Sequence, residues 1–291
     1  MADINFIPAS TCSLEQITHA FNLGFEGYYL PMSQTPDGLA QMMRENDVRL
    51  ADSTALTIDG ALAGIGLIGV RETRGWIAGM GVAMAWRDQG IGKRLLGVLL
   101  DHMREIGLRH AQLEALEINT PALALYQRMG FRAQRRLAVY HGPLRPSEGQ
   151  APSVAAGGHT RMHSVAPHMA LKRFDQYHAV APAWQRERAT LERVRGALDG
   201  LGLWDGARLS AYVLFSRQTG GYALLDAGSL APDAAARRND IVRLLHALSD
   251  TAPEATFRAI NAPPGDALGD ALDLLGCPVA LAQQEMARAL P

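Results

Sequence analysis

Short apolar runs and amphipathic stretches alternate along the first half of the chain. Apolar runs bounded by turn residues predict strands, and apolar residues that recur every three to four positions predict helices. Strands are therefore predicted at Asp3–Pro8, Ser53–Ile58, Leu62–Arg71, Gly75–Ala85, Arg109–Ile118 and Phe131–Tyr140, with helices after Ser13, after Thr35, over Ile91–Ile106 and at Thr120–Met129. The order indicates a mixed α/β domain.

Local signals predict several boundaries of these elements. Ser13 followed by Gln16 fits a capping box at a helix start. Asp59-Gly60 lies between two apolar runs and predicts a two-residue hairpin turn. Thr120 is the predicted N-cap of a short helix whose first position is Pro121.

A segment near the middle of the chain lacks any apolar period. Residues 146–168 are rich in Gly, Pro, Ser and Ala, which predicts a linker between domains 1–145 and 169–291. The second half then repeats features of the first in the same order. For example, Asp205-Gly206 follows Asp59-Gly60 by 146 residues. Self-similarity of this kind predicts a duplicated fold.

The charge balance and composition exclude several classes of protein. The chain has 28 basic and 29 acidic residues, spread evenly over both halves, so it lacks the basic excess of a nucleic-acid binder. Its longest apolar run, Ala61–Val70, is about half the length of a membrane-spanning helix. The N-terminus shows no secretory pattern, so we expect a cytoplasmic protein with no membrane partner. The two cysteines, Cys12 and Cys277, are far apart, which argues against a disulfide scaffold and a metal site.

Two glycine patterns are candidates for a ligand site. Gly64, Gly66 and Gly69 fit the GxGxxG dinucleotide fingerprint, but they lie inside an apolar run that no helix follows. Small residues packed closely by a helix explain them better. The segment 87–92, RDQGIG, has the required context, because a predicted strand precedes it and an amphipathic helix begins within it. Its glycines can turn backbone N–H groups toward one anion at the helix N-terminus.

Residues 75–140 resemble the core of the GCN5-related N-acetyltransferase (GNAT) superfamily. RDQGIG matches the superfamily's [RQ]xxGx[GA] loop, and the segment 119–131, NTPALALYQRMGF, is similar to its Asn…Ala…Leu-Tyr…Gly-Phe ending. The resemblance implies two tandem GNAT-like domains, each with a central mixed, mostly antiparallel sheet flanked by helices. It also implies an acetyl-CoA-dependent N-acetyltransferase, in which an amine attacks the thioester directly.

The resemblance implies a donor site between two strands. Acetyl-CoA would lie in a V-shaped gap between the strands that end near Met84 and Ile118, with the loop amides on its pyrophosphate. Gly79 and Gly81 would allow its close approach, and the Val82 N–H would stabilise the oxyanion. The implied donor-binding residues are Val82, Ala83, Met84, Arg87, Gln89, Gly90, Ile91, Gly92, Lys93, Arg94 and Asn119. For Asn119, capping of the following helix is an equally good explanation.

The resemblance also implies the catalytic groups. Tyr126 corresponds to a tyrosine that donates a proton or hydrogen bond to the departing thiolate, although an aromatic core residue is the alternative. Glu114 and Glu117 are candidates for the base that deprotonates the amine, and alternation along a strand allows only one of them to face the cleft. The alternatives are that both are solvated surface carboxylates and that water relays the proton to a more distant group. Glu26, Tyr28 and Tyr29 are expected to bind the acceptor, or else to pack against the sheet.

The second half lacks the features of the implied donor site. Asp233, Ala236 and Arg238 align with the Arg and the two Gly of RDQGIG, and Leu272 aligns with the catalytic tyrosine. We therefore expect this domain not to bind acetyl-CoA. Tandem members such as mycothiol synthases use their second domain for catalysis, which argues against that activity here.

Several alternatives remain open at this point. The chain could be a non-catalytic acyl-CoA sensor, a structural module, or an enzyme that uses another acyl-CoA. A small-molecule amine or a peptide N-terminus would serve as acceptor, and homodimer formation is left open.

Overall fold

The computed structural model describes residues 2–145 and 160–291, which form two compact units. Unit 1 comprises the chain up to Gln134 together with Gln284–Pro291, and unit 2 comprises Arg135–Gln283. The division differs from the predicted boundaries, because the last strand of each half belongs largely to the other half's unit. Residues 146–159 of the predicted linker lie outside the described part of the chain, whereas 160–164 form a strand and a helix begins at Pro167.

Helices and strands alternate through both units. The strands are β1 (Ile4–Pro8), β2 (Thr54–Ile58), β3 (Ala61–Arg71), β4 (Arg74–Val82), β5 (His110–Leu116), β6 (Arg132–Gly142), β7 (Thr160–Ser164), β8 (Asp199–Asp205), β9 (Arg208–Gln218), β10 (Gly221–Ser229), β11 (Thr256–Ala262) and β12 (Val279–Ala289). The α-helices are α1 (Leu14–Gly24), α2 (Pro36–Glu45), α3 (Ile91–Glu105), α4 (Thr120–Arg128), α5 (Pro167–Leu171), α6 (Phe174–Tyr177), α7 (Arg188–Val194), α8 (Ala234–Thr251) and α9 (Ala267–Leu274). None of the helices within the described ranges is long and apolar enough to cross a membrane.

Unit 1 is a mixed sheet with helices on both faces. Its strand order is β1-β2-β3-β4-β5, antiparallel up to β4, and β4 then pairs with β5 in parallel. Helices α1 and α2 bury Ile17 and Leu39 against one face, and α3 buries Leu95 and Leu99 against the other. The end of β12 lies beside β5, where the Leu290 N–H donates to the Arg109 carbonyl at 2.8 Å.

Unit 2 repeats this topology. The order β11-β10-β9-β8-β7 corresponds to β5-β4-β3-β2-β1, with β10 parallel to β11 and the other neighbours antiparallel. Asp205-Gly206 forms the β8–β9 turn, in which Gly206 has a positive φ of +58°. Its counterpart Gly60, between β2 and β3, also has a positive φ, +79°. The predicted fold class and the duplication are confirmed.

Most of the local predictions hold at the level of single residues. Ser13 and Gln16 form the capping box of α1, and Asp59 and Gly60 both adopt positive φ in the hairpin turn. The N-cap of α4 is wrong by one residue: Asn119, not Thr120, caps it, and its Oδ1 accepts the Ala122 N–H at 3.3 Å. The capping explanation for Asn119 is therefore confirmed.

The glycines of β3 and β4 allow elements of unit 1 to pack closely. A Cβ on Gly66 would lie 2.5 Å from Leu99 of α3, and a Cβ on Gly64 would lie 2.4 Å from the Gly81 carbonyl oxygen. A Cβ on Gly81 would in turn lie 2.5 Å from the carbonyl oxygen of Gly24, at the end of α1. The GxGxxG match is thus a strand packed by a helix, as expected. An added Cβ on Gly79 or Gly81 would point at residues near the end of α1, so both glycines have a packing role, and the approach of acetyl-CoA there stays a prediction.

We expect Gly81→Ala to lower the free energy of unfolding by about 1–3 kcal/mol, because the backbone of α1 cannot move away from the added methyl group. The control is Gly97→Ala in α3, where an added Cβ meets nothing within 4 Å. That substitution should raise stability by about 0.5–1 kcal/mol, since alanine favours a helix. Urea unfolding followed by circular dichroism measures both, and equal effects would contradict the close packing of α1 on β4.

Candidate active site

The parallel strands β4 and β5 separate in the middle of unit 1. Their pairing covers only Arg74↔His110, Gly75↔Ala111 and Trp76↔Gln112, whereas β4 continues to Val82 and β5 to Leu116. A bulge at Ala78 accompanies the separation, because Leu67 and Ile68 of β3 oppose Gly79 and Ile77. Bulges bend a strand and release it from pairing. The resulting gap is the one expected between the ends of these strands.

The end of β4 presents backbone groups of Val82 to this gap. The Ala83 N–H donates to the Ala63 carbonyl in β3 at 2.7 Å. Because backbone N–H groups alternate along an extended chain, the Val82 N–H points to the opposite edge, toward β5. The strand is shorter than predicted, since it ends at Val82, and Met84, which is 52% exposed, begins a 3₁₀ turn. Val82 therefore fits its expected role better than Ala83 or Met84.

The segment Arg87–Gly92 forms the expected turn into a helix N-terminus. Asp88 and Gly90 have positive φ, +62° and +78°, and no side chain caps the helix at Gly90. The first helical backbone bond runs from Arg94 to Gly90, so the N–H groups of Ile91, Gly92 and Lys93 have no acceptor within the helix. Such uncapped donors at the positive end of a helix dipole favour an anion.

The charged side chains of this segment have different surroundings. Lys93 is exposed, whereas the Arg94 guanidinium lies 5.4 Å from the centre of the Phe6 ring. Gln89 Nε2 donates to the Ala85 carbonyl at 3.2 Å. The Arg87 side chain is used within the protein, because it donates to the carbonyls of Val82, Gly24 and Glu26 at 2.9, 3.2 and 2.7 Å. This differs from the expectation that the Arg87 side chain binds acetyl-CoA.

Tyr126 belongs to α4, in which the preceding Leu125 approaches this helix N-terminus: an added Cβ on Gly92 would lie 3.8 Å from Leu125. It belongs to the core cluster that contains Val82, Ile91 and Ala115, and it is 8% exposed. Within the described part of the chain, no residue hydrogen-bonds its hydroxyl. Burial, with a smaller contribution from Tyr28, raises the pKa of Tyr126 well above its ordinary value. The phenol is thus held neutral and can donate a hydrogen bond.

Glu114 and Glu117 are separated by the geometry of β5. Ala111 and Leu113 pack into the core beneath α3, so alternation places Glu114 on the opposite face of the sheet. There Glu114 Oε2 accepts the Trp76 indole N–H at 2.7 Å. Glu117 is exposed and lies beyond the end of the strand. The Trp76 indole therefore helps to orient Glu114, and Trp76 is a site residue that sequence reasoning missed.

The α1–α2 segment lines an open groove of about 560 Å³. Its walls include Glu26, Tyr28 and Tyr29, which are the residues expected to bind the acceptor. Tyr28 is half-buried, and burial raises its pKa, which the neighbouring Asn119 side chain lowers in part. Its ring contacts the rings of Phe25 and Tyr29 edge to face, at 5.3 and 5.5 Å between centroids. The groove thus reaches the end of β5 through the Tyr28–Asn119 contact.

The corresponding region of unit 2 is filled by its own side chains. Strands β10 and β11 pair over four residues, Gly221–Leu224, and a bulge at Leu225 follows, as in β4. Buried Arg186 donates to the Leu225 carbonyl at 3.2 Å and to Asp266 Oδ2 at 2.8 Å, and it also pairs with Asp226 at 3.4 Å. A cavity of only about 20 Å³ remains beside these groups. That volume is comparable to the space for a single water molecule.

The helix N-terminus of unit 2 is also occupied. Asp233 is the N-cap of α8, and its Oδ1 accepts the Ala236 N–H at 2.8 Å. A carboxylate therefore takes the place that the uncapped Gly90 leaves open in unit 1. Both the charge and the hydrogen bond disfavour a bound anion there.

Residues 15–131 match the sequence model of the acetyltransferase (GNAT) family. Unit 1 thus matches the GNAT family over most of its length. The chain is 38% identical over 99 residues to a streptothricin acetyltransferase from Streptomyces lavendulae, covering 33% of this chain and 51% of that protein. It is 35% identical over 68 residues to N-alpha-acetyltransferase 30 from Schizosaccharomyces pombe, covering 23% and 45%. It thus spans about half the length of these relatives.

Solved structures extend the GNAT likeness to the second half. A tandem GNAT protein from the clavulanic acid biosynthesis pathway matches 100% of this chain and 99% of its own, with a TM-score of 0.68 at 13% identity. A GCN5-related N-acetyltransferase from Sphaerobacter thermophilus covers 100% and 95%, with a TM-score of 0.64 at 12% identity. At these identities the likeness shows the fold alone, which is that of two GNAT-like units.

No group of acidic, histidine or cysteine residues able to hold a metal occurs among the described residues.

The buried charges of unit 2 predict a pH-dependent stability. His178 Nε2 lies 3.0 Å from Asp226 Oδ1, and Tyr212 donates to the other oxygen at 2.7 Å. Burial opposes the protonated imidazole, but Asp226 outweighs it and raises the pKa of His178 above 6.5. A raised pKa stabilises the fold fully below about pH 6.5, and this stabilisation is lost as the pH rises through the folded value.

We therefore expect the free energy of unfolding to fall more in the wild type than in His178→Gln when the pH rises from 6 to 9. Urea titrations at both pH values measure this difference. The contributions of the other histidines cancel, because both proteins contain them. An identical fall in both proteins would mean that Asp226 does not hold a protonated His178.

Proposed function

We propose that unit 1 is an N-acetyltransferase that moves the acetyl group of acetyl-CoA to a primary amine. The observation that carries this proposal is the combination of an opened β4–β5 pair, an uncapped helix N-terminus and the unbonded Tyr126 hydroxyl around one gap. Acetyl-CoA supplies the activated thioester, and the amine replaces the thiolate at the acetyl carbon. Acetyltransferases among the relatives support the reaction type.

Donor binding in this proposal uses backbone groups more than charged side chains. The N–H groups of Ile91, Gly92 and Lys93 would hold the pyrophosphate, with Lys93 adding a full charge. The Val82 N–H would bind along the pantetheine arm or stabilise negative charge on the carbonyl oxygen. Asn119 contributes indirectly, because it caps α4.

Tyr126 would assist the departure of the thiolate. Its raised pKa keeps the hydroxyl protonated throughout the neutral range. Because an ordinary thiol, with a pKa of about 8.5, is a stronger acid than this phenol, donation of a hydrogen bond stabilises the thiolate more than complete proton transfer does. Tyr126 would thus assist as a hydrogen-bond donor to the leaving thiolate and would itself remain a neutral phenol.

Glu114 would take the proton that the amine must lose. A primary amine is mostly protonated at neutral pH, so a base is required before attack. Glu114 lies on the α1–α2 face of the sheet, opposite to Tyr126, and the Trp76 N–H fixes one of its oxygens. The acceptor would enter along the groove of Glu26, Tyr28 and Tyr29, where a carboxylate attracts a cation and the rings contact apolar groups.

We expect calorimetry to show one acetyl-CoA bound per chain, because the equivalent region of unit 2 is filled by Arg186 and capped by Asp233. Gly92→Glu should abolish binding by placing a carboxylate at the pyrophosphate position. The matched control is Gly97→Glu on the same helix. A Cβ added at Gly97 meets nothing within 4 Å, so this variant should bind acetyl-CoA normally.

Two sites per chain would contradict the assignment of unit 2 as the silent unit. The absence of binding in the wild type would remove the enzyme proposal altogether. Tight binding without turnover on any amine of a broad panel would favour an acyl-CoA sensor instead.

We expect Tyr126→Phe to lower kcat by about 10²-fold or more, because the thiolate loses its donor. The KM for acetyl-CoA should change little, since the hydroxyl binds nothing in the free protein. Tyr222→Phe in unit 2, which removes a buried hydroxyl bonded to Thr251, is the control and should retain wild-type kcat. Steady-state release of coenzyme A measures both variants, and an unchanged kcat in Tyr126→Phe would leave this tyrosine as a core residue only.

A further inference from the structure

Arg87 connects the donor loop to the acceptor groove of unit 1. Its Nε donates to the carbonyl of Val82, the last residue of β4, at 2.9 Å. Its Nη2 donates to the carbonyls of Gly24 and Glu26, at 3.2 and 2.7 Å, where α1 ends and the groove begins. One guanidinium group therefore joins the end of β4 to the start of the groove segment after α1.

Arg87 binds the groove segment at its start, whereas the Asn22 side chain bonds the backbone of Gln34 at its far end. Gly27 has φ +68°, and its backbone contacts the exposed Met84 side chain closely enough that an added Cβ would lie 2.6 Å from Met84 Cε. The Tyr28 N–H bonds the Phe25 carbonyl at 3.1 Å, in a single turn. Arg87 makes charge-assisted bonds to one carbonyl just before this turn, that of Gly24, and to one within it, that of Glu26, and such bonds are roughly twice as strong as neutral ones.

Arg87 also directly precedes the turn that would hold the pyrophosphate. Asp88 and Gly90 follow it with positive φ, so an anion bound at Ile91–Lys93 restrains the same backbone from which the Arg87 side chain extends. Restraint at one end of the side chain limits the motion of the carbonyls at the other end. The hydrogen bonds of Arg87 thus form a contiguous connection through which the two segments can be coupled.

We propose that Arg87 is a positioning residue that shapes the acceptor groove and makes its order depend on donor binding. The inference rests on the proposed function for the identity of the donor. It assigns the side chain to the groove carbonyls and not to the pyrophosphate. Long side chains with N–H donors, such as Arg and Gln, can fill this role, whereas an apolar chain of similar length cannot.

Hydrogen–deuterium exchange tests the proposal on the full chain, with coenzyme A as the probe. In the wild type, coenzyme A should slow exchange in peptides covering 25–34 and 88–96. In Arg87→Met, peptide 25–34 should exchange about tenfold faster without ligand and should no longer respond to coenzyme A, while peptide 88–96 still responds. Arg87→Gln, which keeps an amide donor, should lie between the two. Arg44→Met, on the exposed side of α2, is the control and should match the wild type.

Wild-type exchange at 25–34 in Arg87→Met, or a surviving response to coenzyme A there, would overturn the proposal. Loss of binding at 88–96 in that variant would assign the side chain to the anion and would also overturn it. If the wild type does not bind coenzyme A, the proposed function fails, and the ligand-free comparison still decides whether Arg87 holds the groove. If Arg87→Met does not fold, Arg87→Gln carries the same comparison, because it can replace only part of the three bonds.

Discussion

The separation of two parallel strands is the constraint on which the site of unit 1 depends. Strands β4 and β5 share three residue pairs and then diverge, with a bulge at Ala78 in β4. Backbone groups released from the ladder must find other partners, since unsatisfied buried groups are costly. At the end of β4, the Arg87 side chain donates a hydrogen bond to the Val82 carbonyl, while the N–H of Val82 faces the gap. The candidate site therefore arises from the same irregularity that weakens the sheet.

Unit 2 shows how the same fold removes such a site. Its strands also diverge after a bulge, but the buried side chain of Arg186 bridges Leu225, Asp226 and Asp266 across the opening. At the neighbouring helix, the Asp233 carboxylate caps an N-terminus that glycine leaves uncapped in unit 1. Two units with one topology thus differ in a few polar side chains, which is the level at which function is decided in a shared fold.

Much of the fold followed from patterns within single elements. The capping box at Ser13, the Asp59-Gly60 turn and the helical stripe of α3 depend on neighbours in sequence, and each was predicted correctly. The errors involve partners distant in sequence. Strand β4 ends earlier than its apolar run, because the chain turns at Ala83. The strand at 160–164 carries too weak an alternation to be distinguished from a linker, since its pairing with β8 defines it.

The residue types of the candidate site were recognisable from the order RDQGIG and from the position of Tyr126, because glycine conformation and helix polarity are local properties. The direction of each long side chain was not. Arg87 has the charge for a pyrophosphate, yet the carbonyls that take its donors come from Gly24 and Glu26, about sixty positions earlier. Glu114 became the better candidate base only through Trp76 on the neighbouring strand. Local sequence therefore determined which groups are present, and packing between distant segments decided which of them remain available to a ligand.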